Sequence, residues 1–222
     1  MAAEPYQENK VRSMPWMKPH QKMIPEEALP DKYERFSQAR SAAAILVEAG
    51  FDAIGFDHFA RPSDSLALAA RMRRLRRNFQ GYTDDRADAL IGLGASSIGQ
   101  LPQGYVQNIS ATGEYSKTVL DGQGATTRGH ALTPADKLRG LAISTLLCTF
   151  RLSDRDVSGF GAAGKALMRE AEAIALTDED SLVEMRDGVF SVTDRGRPFV
   201  RTIAARFDTY FGHGTARHSA AV

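Results

Sequence analysis

The side chains of this sequence that could do chemistry lie in a few short stretches. Asp57, His58 and Arg61 fall within Gly-Phe-Asp-His-Phe-Ala-Arg-Pro at residues 55–62. A carboxylate beside an imidazole suits proton transfer near neutral pH. The plainer alternative is a structural histidine bonded to Asp57 or to backbone. Residues 71–77, Arg-Met-Arg-Arg-Leu-Arg-Arg, contain five arginines. Guanidinium forks grip carboxylates in pairs, so the run could seat acidic substrate groups. It could also be a solvated helix end, the reading favoured by its charge density, or an RNA contact. An aromatic ring followed by an amide, Phe79-Gln80, and the small-residue run ending at Ile98 could wall a ligand pocket. On composition alone Phe79 and Ile98 would be core residues. His20, His130, His213 and His218 show no metal-ligand spacing, so no metal site is expected. The sole cysteine, Cys148, sits in an apolar helical stripe and reads as a core residue.

These residues need a scaffold, and the bulk numbers allow one. The chain has 222 residues, 43% hydrophobic and 25% charged, as in ordinary globular proteins. No apolar stretch approaches the length that spans a bilayer, and residues 1–12 lack the apolar centre of a signal peptide. One cysteine permits no intrachain disulfide, so a reducing, cytoplasmic setting is expected. The net charge of +1 gives no global argument for nucleic acid or an anionic membrane.

Along the chain, Pro5, Pro15, Pro19, Pro25 and Pro30 predict an extended arm over residues 1–30. A helix is expected over 31–49, with Asp31 as N-cap, Phe36, Ala39, Ala43, Leu46 and Val47 on one face, and Gly50 ending it. A buried strand at 51–56, a helix at 64–75, a strand at 91–98 and a short helix at 113–120 follow. Helix, glycine, apolar strand is the grammar of an α/β domain, so residues 31–130 are read as an incomplete TIM-like (partial β/α) barrel segment.

Near residue 131 the pattern changes. Thr133-Pro134 marks a helix start, and a second helix is expected over 161–176. Two strands flank Asp187-Gly188, a hairpin signal. Thr193 can cap a last helix with the stripe Val200, Ile203, Ala204, Phe207 and Phe211, with Arg197 and Arg201 on a wetter flank. Residues 131–222 are therefore read as a helical, winged-helix-like C-terminal domain. They contain twelve Lys/Arg and twelve Asp/Glu. That neutrality argues against DNA, whose binding rests on a basic excess, and favours a lid or packing role.

Several of these stretches, in order, resemble one family. Residues 55–62, Arg77-Asn78-Phe79-Gln80-Gly81-Tyr82-Thr83, the Gly-Leu-Gly-Ala-Ser-Ser-Ile run at 92–98, Tyr105-Val106-Gln107-Asn108, Arg128-Gly129 and Phe207-Asp208-Thr209-Tyr210 are similar to blocks of the oxygen-independent coproporphyrinogen III oxidases. The similarity runs from about Pro15 to Tyr210. It implies a radical SAM enzyme of haem biosynthesis that oxidatively decarboxylates two propionates of coproporphyrinogen III, giving protoporphyrinogen IX. In that family a reduced [4Fe-4S] cluster cleaves S-adenosylmethionine to a 5′-deoxyadenosyl radical, and the protein supplies position and shelter from water. The resemblance makes Phe79, Gln80 and Ile98 S-adenosylmethionine-binding residues. It makes Asp57, His58, Arg61 and Arg77 candidates for binding the tetrapyrrole substrate, since the strand ends of a barrel face the active site.

The departures are as informative. The cluster needs a Cys-x3-Cys-x2-Cys run, and Cys148 stands alone, so no cluster is expected on this chain. Val11-Arg12-Ser13 replaces the family's Tyr-Ala-His block, which puts a cofactor contact at Arg12 in question. The sequence thus reads as the C-terminal half of such an oxidase, inactive alone. The alternatives are a non-catalytic truncated paralogue that binds a tetrapyrrole or S-adenosylmethionine, and, more weakly, a winged-helix nucleic-acid binder.

Overall fold

The structure, a computed structural model, describes Pro25 and residues 28–211. Most of the proline-rich arm, Arg12, His20, His213 and His218 lie outside the described residues. The chain divides into a unit ending at Ile45 and another beginning at Leu46.

Helix α1 spans Lys32–Glu48. The Asp31 carboxylate accepts from the backbone N–H groups of Tyr33 and Glu34, both at 2.8 Å, the bonds an N-cap makes. Gly50, at φ +86°, ends it. The expected buried face differs: the helix buries none of its residues.

The strand expected at 51–56 is shorter and turns back on itself. Strand β1 (Asp52–Ile54) pairs antiparallel with β2 (His58–Ala60). The turn begins at Gly55, at φ +58°, where a Cβ would lie 2.1 Å from the Tyr82 ring. Only glycine fits both the angle and the contact. Helix α2 (Ser65–Arg71) is capped by Asp64, whose carboxylate accepts from Leu66 N at 2.9 Å. It ends short of the expected residue 75. Arg73 takes φ +53° and the chain reverses, which carries Leu75 into the core. Strands β3 (Arg76–Asn78) and β4 (Gly81–Thr83) then form a hairpin.

Residues 91–97 form a loop rather than the expected strand, with only Leu90 bridging to Gln100. Side chains hold this loop: the Asn108 amide donates to the carbonyls of Gly92 and Gly94, and Ser97 Oγ to that of Leu93. Strand β5 (Ile98–Leu101) pairs with β6 (Gly104–Asn108), and β6 with β7 (Thr126–Ala131). Helix α3 (Thr112–Leu120) connects β6 to β7.

Helix α4 (Pro134–Thr149) starts at a full capping box: Asp136 N donates to Thr133 Oγ1 at 3.1 Å, and Thr133 N to Asp136 Oδ2 at 2.9 Å. Strand β8 (Arg151–Ser153) leads to the short α5 (Asp154–Val157), then α6 (Gly161–Leu176). The hairpin forms as β9 (Val183–Arg186) and β10 (Val189–Val192), with positive φ at both Asp187 and Gly188 as its tight turn requires. The sheet order is β8-β10-β9. Thr193 Oγ1 accepts from Gly196 N, and after a turn of 3-10 helix the chain enters α7 (Val200–Ala205).

Every pairing among the described strands is antiparallel. Most are closed by turns of a few residues, which cannot bring a parallel partner back. The described residues form a mixed helix-and-strand protein on several small sheets. Two buried clusters hold residues 46–211 together. One gathers α4, α6, the β8-β10-β9 sheet and α7 around Phe190 and Phe207, whose rings meet edge to face at 5.8 Å. The other gathers Ile54, Ala67, Leu75 and Tyr82. Phe56 packs against both, and Cys148 against the second. Val200, Ile203, Ala204 and Phe207 are buried as the stripe predicts, whereas Phe211 is exposed. Arg197 and Arg201 are both exposed, yet their guanidinium groups lie over the Phe150 and Phe56 rings at 4.8 and 5.8 Å.

A candidate cleft walled by Arg77, Phe79 and Tyr105

Asn78-Phe79-Gln80-Gly81 forms the tip of the β3–β4 hairpin. The Asn78 side chain accepts from Gln80 N at 2.8 Å, which fixes the turn. Gly81 takes φ +137°, and a Cβ there would stand 3.2 Å from His58 Nε2. The hairpin thus brings two motif stretches together, the one with His58 and the one with Phe79.

Phe79 extends from the turn, half exposed, and its ring meets that of Tyr105 edge to face at 5.0 Å. Tyr105 pairs with Gln100, and Ile98 with Gln107, across β5 and β6. Directly opposed residues share a sheet face and alternate residues return to it. Ile98 and Tyr105 are therefore on one face, the face that Phe79 touches.

Arg77 and Tyr82 are opposed across the hairpin. The Arg77 guanidinium lies 5.1 Å from the Tyr82 ring centre and 5.0 Å from that of Phe56. Its Nη1 is closed off from solvent and has no hydrogen-bond partner. Burial pushes the Tyr82 hydroxyl up to about 12 and the Cys148 thiol up to about 11.

Arg77, Phe79 and Tyr105 line one side of a cleft of about 1040 Å³. Lys137, Gly140 and Ser144 of α4 line it as well. His130, Asp136 and residues 208–210 close one end. There the Tyr210 hydroxyl donates to Asp136 Oδ1 at 3.0 Å, and its ring meets His130 at 5.7 Å. The hydrogen bonds from the Thr133 side chain and backbone hold the Asp136 carboxyl below its usual range, and the same carboxylate raises the Tyr210 hydroxyl.

The other candidates lie elsewhere. His58 Nδ1 is 2.6 Å from Asp57 Oδ1, and its ring meets Tyr82 edge to face at 5.0 Å. Asp57, His58, Arg61, Gln80 and Ile98 are not among the residues lining this cleft. Arg71 is ion-paired with Asp52, and Arg73, Arg74 and Arg76 are exposed, as a solvated stretch would be. Sequence reasoning missed the closed end of the cleft. Its signals were the Thr133-x-x-Asp136 capping box and the Phe207-to-Tyr210 motif, which only the fold brings together. No group of His, Cys, Asp and Glu among the described residues could hold a metal ion. A single thiol does not fit a [4Fe-4S] cluster, whichever side chains surround it. No helix among the described residues is long and apolar enough to cross a membrane.

No protein-family model matches the chain. The fold matches part of the solved coproporphyrinogen III oxidase of Escherichia coli, described as a radical SAM enzyme, with a TM-score of 0.78 at 35% identity. That match covers 86% of this chain and 44% of the other. The chain is 44% identical over 210 residues to the oxygen-independent coproporphyrinogen III oxidase of Paracoccus denitrificans, covering 94% of this chain and 46% of that one. It is 45% identical over 199 residues to an anaerobic coproporphyrinogen III oxidase of Cereibacter sphaeroides, covering 89% and 44%. The chain is therefore similar to oxygen-independent coproporphyrinogen III oxidases, the family its motifs resemble, and spans about half the length of the relatives it matches.

Proposed function

We propose that the chain is the C-terminal half of an oxygen-independent coproporphyrinogen III oxidase, contributing one wall of a site that another polypeptide segment completes. The observation that carries this is the cleft: motif residues Arg77 and Phe79 open onto a volume large enough for a tetrapyrrole. Phe79 and Ile98 would offer the adenosyl group of S-adenosylmethionine an apolar wall, and Gln80 an amide. Asp57, His58, Arg61 and Arg77 are assigned to the tetrapyrrole, with the Asp57 carboxylate orienting the His58 imidazole. In the complete enzyme S-adenosylmethionine would supply the radical chemistry. This chain's single thiol cannot hold a [4Fe-4S] cluster. The cleft residues hold the ligand and exclude water.

Residues 31–130 do not form the parallel β/α barrel segment expected of them, since their described strands pair only antiparallel in small separate sheets. The C-terminal domain, described up to residue 211, is read as a winged-helix-like lid, a reading supported by the succession α4, β8, α5, α6, hairpin and by the β8-β10-β9 order. Its formal neutrality speaks for packing rather than for nucleic acid. A cytoplasmic setting belongs to the same proposal.

The second reading, a non-catalytic binder of a tetrapyrrole or S-adenosylmethionine, uses the same cleft. Anaerobic assay with coproporphyrinogen III, S-adenosylmethionine and a reductant separates the two. The chain alone is expected to hold no stoichiometric [4Fe-4S] centre after reconstitution and to give no protoporphyrinogen IX. Adding the separately produced N-terminal half of the Paracoccus relative is expected to restore turnover. Turnover by the chain alone would overturn the proposal. No turnover with a cluster-loaded partner half would favour the binder.

A further inference from the structure

We infer that the cleft seats a carboxylate of its ligand on Arg77. The inference rests on the function proposed above and names the contact that recognises the ligand. Among the described residues no carboxylate lies within ion-pair distance of Arg77, and its Nη1 is the buried side-chain polar atom left without a partner. A half-buried guanidinium in that state is costly until an anion meets it.

Its neighbours do not supply the anion. Tyr82 and Cys148, whose electrostatics couple to Arg77, are pushed up to about 12 and about 11 and so stay neutral at neutral pH. The Phe56 and Tyr82 rings lie 5.0 and 5.1 Å from the guanidinium and offer it cation–π contact but no anion.

The remaining charges of the cleft are accounted for differently. Arg139 is bound to Glu170 through both terminal nitrogens and to the Phe207 carbonyl. Asp136 accepts from Thr133 and Tyr210, and Asp208 from Tyr210 N. Lys137 and Asp88 line the cleft and are exposed. Arg77 is thus the inner cation that a ligand can neutralise. A carboxylate in the cleft would form charge-assisted bonds with the part of the guanidinium open to it. Both proposed ligands carry that group, as a propionate of the tetrapyrrole or as the amino-acid end of S-adenosylmethionine. The size of the cleft favours the propionate.

Binding to the full chain can be measured by titration with coproporphyrin III, with its tetramethyl ester, and with S-adenosylmethionine, for wild type, R77Q and R77K. Coproporphyrin III is expected to bind R77Q at least about tenfold more weakly than wild type, the scale of a lost hydrogen bond to a charged group. R77K should fall between, keeping charge but not the fork. The ester should bind wild type and R77Q alike, and more weakly than the free acid binds wild type. That last comparison needs no substitution and so does not depend on the variants folding.

If S-adenosylmethionine rather than coproporphyrin III is weakened in R77Q, the Arg77 assignment stands and its carboxylate belongs to that ligand. If wild type binds free acid and ester equally, and R77Q binds both acids as wild type does, the inference fails while the proposed function survives. If wild type binds neither acid, the inference fails, and the complementation assay above decides the proposed function separately.

Discussion

The Tyr82 hydroxyl donates a 2.7 Å hydrogen bond to the carbonyl of Leu147, across 65 residues of sequence. Leu147 lies in the last turn of α4, where carbonyls have no partner within the helix. The same hydroxyl accepts from Phe56 N at 3.3 Å. Tyr82→Phe removes both bonds and leaves two part-buried backbone groups unpaired. We expect a loss of about 1–3 kcal/mol, read by urea denaturation. A variant within about 0.5 kcal/mol of wild type would show that water satisfies these groups equally well.

Gly55→Ala should be worse than an ordinary surface substitution. It places a methyl group inside the Tyr82 ring and asks a non-glycine residue to hold φ +58°. Overpacking alone costs about 1–3 kcal/mol. Gly113→Ala, where nothing lies within 4 Å, is the comparison. Equal melting temperatures for the two variants would contradict the packing described for Tyr82.

Phe207 is fully buried against Phe190. Phe207→Ala is expected to cost about 3–5 kcal/mol and to lower the melting temperature clearly. Phe211→Ala, at an exposed position of the same stretch, should be close to neutral. Reversal of that order would mean that the end of the chain packs differently.

Alkaline pH should unfold the protein through Cys148 and Tyr82. Both ionise less readily when folded, since burial raises them from 9.0 to about 11 and from 10.0 to about 12. The stability they contribute is full below their unfolded values. It is lost as pH rises through the folded ones. Thermal melts should therefore fall between pH 9 and 12, and Cys148→Ala should remove the lower part of that decline. A flat profile for wild type over this window would refute the assignment.

What the sequence made legible was local. Thr133-Pro134, Asp31, Gly50 and Asp187-Gly188 act within one turn of chain, and the elements they mark form where expected. The misreadings share a cause: a distant partner decided the outcome. Residues 91–97 have the small-residue pattern of a strand, yet Asn108 takes the carbonyls a neighbouring strand would have used. Residue 56 ends a run that looks like one buried strand, but the Tyr82 ring forces a turn at Gly55. Arginine is no helix breaker, so the reversal at Arg73 carries no compositional mark. Of the candidate site, motif order identified Arg77 and Phe79. The edge-to-face contact of Phe79 with Tyr105 and the meeting of Asp136 with Tyr210 are long-range contacts that no spacing announces.

Phe56 touches both buried clusters, and Tyr82, packed beside it, is hydrogen-bonded to α4. An opening of the cluster around Ile54 therefore exposes one flank of the cluster around Phe190 and frees the end of α4. Amide protons of β4 and of the last turn of α4 should accordingly exchange with deuterium through shared opening events of similar free energy. Ligand binding at Arg77, which lies against both Phe56 and Tyr82, would slow exchange in each of them, although α4 and β4 sit on different elements of the fold.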